Sequence, residues 1–193
     1  MSFFKRLFSP GKKEAAPAEK AAFNMLYTDE YFNKRYSPQD INTPPEMLDA
    51  CLKMVQSYFA DNNIPMNTAL PVNHPENLDK TVTEGTGFTL YCRAFGTDDA
   101  QITLFLAYAF AAYLINRYGF NLYKDSEPEY PLRGMTVKYD KDGVVMSLYP
   151  FEYAHKVLNN EATFAGLYER INAQIKALPT KEEVLKSFLP EQE

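Results

Sequence analysis

The chain contains no tryptophan, two cysteines and two histidines among 193 residues. Cys51 and Cys92 make neither a disulfide framework nor, by themselves, a four-ligand zinc site. His74 and His155 leave histidine-rich metal chemistry equally short of ligands. A basic excess is lacking too, since 20 Lys and Arg stand against 25 Asp and Glu for a formal charge of −5. Nucleic-acid binders normally show a basic footprint, so no nucleic-acid partner is expected. The most apolar stretch, Leu104–Ile115, runs for twelve residues. That falls short of the roughly 20 a membrane span needs and suits a buried core helix. What remains is an ordinary globular composition, 46% hydrophobic and 23% charged, rich in Tyr and Phe at 14 each. A chain of this length can bury a core without covalent or metal staples.

Charge is unevenly placed. Lys5, Arg6, Lys12 and Lys13 give residues 1–13 a charge of +4 with no acid, which leaves the other 180 residues at −9. Phe3, Phe4, Leu7 and Phe8 oppose Lys5 and Arg6 on a helical wheel, the pattern of a short interfacial helix. Two readings are open: a weak membrane-surface contact through residues 1–13, or a frayed basic arm tethered by a disordered Ala/Pro/Lys/Glu-rich linker. The cations interrupt the apolar run that a secretory leader requires, so a cytoplasmic protein is expected. Residues 1–22 read as this flexible arm and linker, and residues 23–193 as a single α+β domain.

Along that domain, Thr28 opens a short helix closed by Ser37-Pro38. Thr43-Pro44-Pro45-Glu46 combines an N-cap, prolines in the first turn and a capping-box glutamate before a helix over 44–61. The Asn- and Pro-rich segment 62–77 reads as loop, and the β-branched and aromatic run Thr86–Phe95 as a strand or as the continuation of a helix from around Asn77, the strand being favoured. Asp98 starts a central helix over 98–118, stopped by Gly119. Residues 121–133 read as a second loop. Alternation at Met135, Val137 and Tyr139, a turn at Asp140–Gly143 and the run Val144–Tyr149 predict a hairpin. Pro150 opens a short helix, a further amphipathic helix covers 163–178, and Thr180–Glu183 is a capping box for a last one. Segregated helices and a hairpin define α+β: a buried central helix on a small antiparallel sheet with flanking helices.

Candidate chemistry is thin. Cys92 with His155 is the one nucleophile–base pairing available, the basis of an alternative reading as a cysteine-dependent hydrolase or transferase. Glu84-Gly85-Thr86-Gly87 is a glycine-rich loop without P-loop spacing. Asp98 and Asp99 suit a helix start, and Asp140 and Asp142 are fragments of a calcium loop without its remaining ligands. No catalytic set, metal site or cofactor is therefore expected. Tyrosines crowd the segment from Tyr118 to Tyr153, serving either as core fillers of a Trp-free protein or as recognition residues.

From Leu104 to Ile175 the layout is an apolar helix ending in Arg117-Tyr118-Gly119-Phe120, a Pro-containing segment, and a hairpin leaving through Leu148-Tyr149-Pro150-Phe151 to Lys156-Val157-Leu158-Asn159-Asn160. This resembles small bacterial α+β domains of unassigned function, some of which look like immunity proteins of contact-dependent toxin systems. The usual tryptophan after the helix-ending glycine is Phe120 or Leu122 here. The resemblance implies the α+β class and a binding role, with no catalytic residues to carry across. The expected function is thus a non-enzymatic binding protein that captures a protein partner through an acidic, tyrosine-rich face. Tyr123, Tyr130 and Arg133 are its expected anchors, being the residue types that dominate interface energetics.

Overall fold

The computed structural model of the chain describes residues 29–43, 45–141 and 144–178. The basic arm and linker, the turn residues 142–143 and the capping box at Thr180 lie outside the described residues. Seven α-helices and a four-stranded antiparallel sheet occupy the described part, so the chain is α+β.

The centre is α5 (Asp99–Tyr118). Its start follows from a capping box in which Asp98 accepts from the Gln101 amide at 2.8 Å and the Gln101 side chain accepts from the Asp98 amide at 3.0 Å. Its end follows from Gly119, which takes the left-handed conformation at φ 76°. Ile102, Leu106, Phe110 and Leu114 are buried, and the alanines at 107, 109, 111 and 112 leave room for close neighbours. Those neighbours are α2 (Pro45–Asp61) and α6 (Pro150–Leu158). α7 (Phe164–Ala177) packs mainly on α3 (Pro75–Thr83) and reaches α5 through rings, with Phe110 and Phe164 centroids 4.8 Å apart.

The sheet is a meander in sequence order: β1 (Tyr36–Gln39), β2 (Asn121–Asp125), β3 (Met135–Lys141) and β4 (Val144–Leu148). Leu122 pairs with Val137, and with Phe120 and Tyr139 they form the face that joins the helical core. One register step away, Tyr36 opposite Asp125 and Tyr123 opposite Thr136 belong to the other face, because strand side chains alternate. The short helix α1 (Asp29–Arg35) covers that face with Phe32.

Several expectations need correction. Residues 86–95 form no strand; Phe88–Ala94 is a helix, α4. Phe88 and Cys92 are buried four residues apart while Leu90 and Phe95 stand 64% and 62% exposed, a helical rather than alternating pattern. The segment 62–77 is loop only until Pro75, where α3 begins. Residues 121–125 are not loop but β2, the strand that links β1 to the hairpin. Ser37-Pro38 does not merely end a helix, since both residues lie in edge strand β1, where a missing N–H is tolerated. Asp140 and Lys141 belong to β3, with Lys141 opposite Val144, so the connection is two residues and not the four of Asp140–Gly143.

Candidate functional site

Of the three expected anchors, Tyr130 and Arg133 share a site and Tyr123 lies elsewhere. Tyr123 is half-buried on the outer sheet face, its ring 5.4 Å from that of Phe32 and 6.4 Å from that of Tyr36. The cluster also encloses Lys138, whose amine sits 4.0 Å from the Tyr36 ring centroid and donates to Ser147 Oγ at 2.8 Å. Burial pushes that amine below the ordinary lysine range. Beside it Arg35 grips Asp125 with two bonds of 2.9 and 2.8 Å, tying α1 to β2. The Arg35 guanidinium holds the Asp125 carboxyl below its usual range.

Arg133 ends a 3-10 turn, Pro131–Arg133. Its guanidinium lies 4.6 Å from the ring centroids of both Tyr130 and Tyr149. The same guanidinium donates to Glu152 at 2.8 Å and to Glu129 at 2.6 Å. Glu152, in the first turn of α6, also accepts from the Tyr130 hydroxyl and from Lys156, both at 2.8 Å. Burial pushes the Glu152 carboxyl up, but hydrogen bonds from Arg133, Lys156 and Tyr130 outweigh it and hold the group at about 2. Tyr130 remains 37% exposed, with Glu127 and Glu129 exposed beside it.

Cys92 and Cys51 are free and buried. Burial pushes each thiol up to about 12, so both stay protonated at neutral pH. His155 sits on α6 with Asn159 Nδ2 3.1 Å from its Nε2. The glycine-rich loop turns its donors inward: the Gly87 amide donates to the Tyr58 hydroxyl at 3.0 Å and the Thr86 amide to Asn62 Oδ1 at 3.2 Å. Asp98 is a cap, and Asp99 pairs with Arg93 at 2.6 Å.

A second site was not foreseen. Where the loop before α3 meets α5 and α7, a groove of about 440 Å³ opens, lined by Leu70, Pro71, His74, Tyr113, Arg117 and Tyr168 among others. Two buried asparagines fix its loop wall. Asn73 donates to the Ala109 carbonyl at 3.1 Å, while Asn77 accepts from the Asn67 amide at 3.1 Å and donates to the Pro71 carbonyl at 3.0 Å. His74, 7% exposed, caps α3 by accepting from the Glu76 amide on Nδ1 at 3.2 Å. An accepting Nδ1 places the ring hydrogen on Nε2. The ring meets those of Tyr113 and Tyr168 edge-on at 5.1 and 5.6 Å. Hydrogen-bonding by Tyr113, Asn172, Tyr118 and Arg117 brings the Tyr168 phenol down to about 8. Two signals were available: His74-Pro75 as an N-cap with proline at the first helical position, and Tyr113 with Arg117 four apart on one helix face.

Among the described residues no helix is long and apolar enough to cross a membrane, and no group of three His, Cys, Asp or Glu side chains could hold a metal ion. No protein-family model, curated protein or solved structure matches the chain.

Proposed function

We propose that the chain is a non-enzymatic cytoplasmic binding protein that captures a protein partner in stoichiometric amount, with Tyr130 and Arg133 at the centre of its contact face. The observation that carries this is the immobilised Arg133, stacked between Tyr130 and Tyr149 and tethered to Glu152. An anchor already held in one geometry loses little side-chain entropy on binding. Exposed Glu127 and Glu129 give the face an acidic rim, which suits a partner with a basic surface and speeds its encounter. Tyr123 is half-buried against Phe32 and Tyr36 and is the lesser contributor. The resemblance to immunity-type domains supports the same role, and the free buried thiols fit a reducing compartment. The alternative, cysteine chemistry at Cys92 with His155, asks for an ionised thiol that burial opposes.

The test is capture from the native host at low salt with wild type and with Tyr130→Ala, melting temperature being monitored. A stoichiometric protein held by the wild type, lost from the variant and weakened by salt supports the proposal. Absence of any stoichiometric protein contradicts it.

A further inference from the structure

We infer that the groove between the α3 loop, α5 and α7 binds a small planar carboxylate, an aromatic monoacid, whose charge meets Arg117 and the His74 Nε2–H and whose ring lies against Tyr113, Tyr168 and Pro71. Three observations converge. The first is His74 itself: more than nine-tenths buried, it has no hydrogen-bond partner for Nε2 among the described residues. Thr97 Oγ1 is the one fully sealed side-chain polar atom left without a partner among those residues. The His74 Nε2–H is therefore not sealed in but open to the groove its residue lines. A ring donor that faces a groove instead of a protein acceptor is available to an acceptor on a ligand seated there.

The second is charge. The described groove lining contains Arg117 and no carboxylate, in a chain whose residues outside the basic arm carry −9. Arg117 is exposed at the groove with its guanidinium carbon 5.9 Å from the Tyr118 ring centroid, and its planar fork of five N–H groups offers donors for a carboxylate. The third is shape. Leu70, Pro71 and the two tyrosine rings make the walls apolar and flat, and the Asn73 and Asn77 bonds pre-form them. Pre-formed apolar concavities with a few convergent polar groups are what small-ligand sites look like. A bare inorganic anion would leave those walls unused, and a neutral ring would leave Arg117 unanswered.

The protein's two histidines make the experiment direct, because the ring signals of His74 and His155 are the only imidazole resonances of the full chain. Benzoate, benzamide and inorganic phosphate are titrated separately while both signals are followed by NMR. The expected result is a saturable shift of the His74 signal with millimolar benzoate, a much weaker response to benzamide and phosphate, and an unmoved His155 signal. Arg117→Gln, at an exposed position, should weaken benzoate binding by about tenfold or more, the scale of a lost charge-assisted hydrogen bond. No saturable shift with benzoate, or an equal response to benzamide, overturns the inference; an equal response to phosphate overturns its aromatic part. The wild-type comparison alone decides these points even if the variant proves unstable.

Discussion

Glu152 serves three donors at once, and the identity of its neighbours decides what its loss does. Removing the charge leaves Arg133 and Lys156 with one carboxylate fewer on a half-buried site, so Glu152→Gln should cost about 2 kcal/mol of stability. The pH dependence carries a definite sign. The folded carboxyl at about 2 lies below its ordinary 4.5, so ionisation favours the fold. This contribution is complete above about 4.5 and is lost as pH falls through about 2. Melting temperatures across that range should fall less steeply for Glu152→Gln than for wild type; parallel curves would mean the carboxylate is not coupled to folding. Tyr168 offers a second test at this scale. Its hydroxyl, beside Tyr113, Asn172, Tyr118 and Arg117, should ionise below the ordinary phenol range, because those neighbours favour the phenolate. Ultraviolet phenolate absorbance should show that early step in wild type and lose it in Tyr168→Phe.

Helices here are capped across the fold as well as locally. α7 begins at Phe164 with Thr163 as its own N-cap, but Asp79 of α3 accepts from the Phe164 and Ala165 amides at 2.6 and 2.9 Å. Asp79→Ala should therefore destabilise by about 1–2 kcal/mol, measured by denaturant unfolding, whereas loss of an exposed acid such as Glu169 should change little. Local caps are what a sequence displays, and they made α5 legible at both ends: Asp98 with Gln101, then Gly119. The hairpin was legible too, because Met135, Val137 and Tyr139 alternate with polar residues. α4 was not, since its Phe, Thr and Tyr content favours strands while Gly87 and the burial of Phe88 and Cys92 four apart depend on tertiary packing. β2 was hidden because Asn121, Lys124 and Asp125 resemble a loop until Arg35 neutralises Asp125. The candidate sites followed the same division. The residue types Tyr130 and Arg133 could be named in advance, but their common partner Glu152 could not, because it arrives from α6. The groove was missed because its residues come from the α3 loop, α5 and α7.

Taken as a whole molecule, the chain has a helical core around α5, a sheet whose outer face is closed by α1, and two sites on different elements. The proposed contact face uses the 3-10 turn and α6, whereas the groove uses the loop before α3, α5 and α7. An acidic rim around a rigid Tyr–Arg pair makes salt dependence part of the account, since exposed charges act mainly on association rate and are screened. The central claim is that a protein partner sits on Tyr130. The most direct measurement places a photoreactive phenylalanine analogue at position 130, or at exposed Gln174 on α7 as the control, and irradiates native host cells. A partner seated there gives one discrete crosslinked protein from position 130, in good yield, with none from position 174. No crosslink at 130, or the same products from both positions, would contradict it.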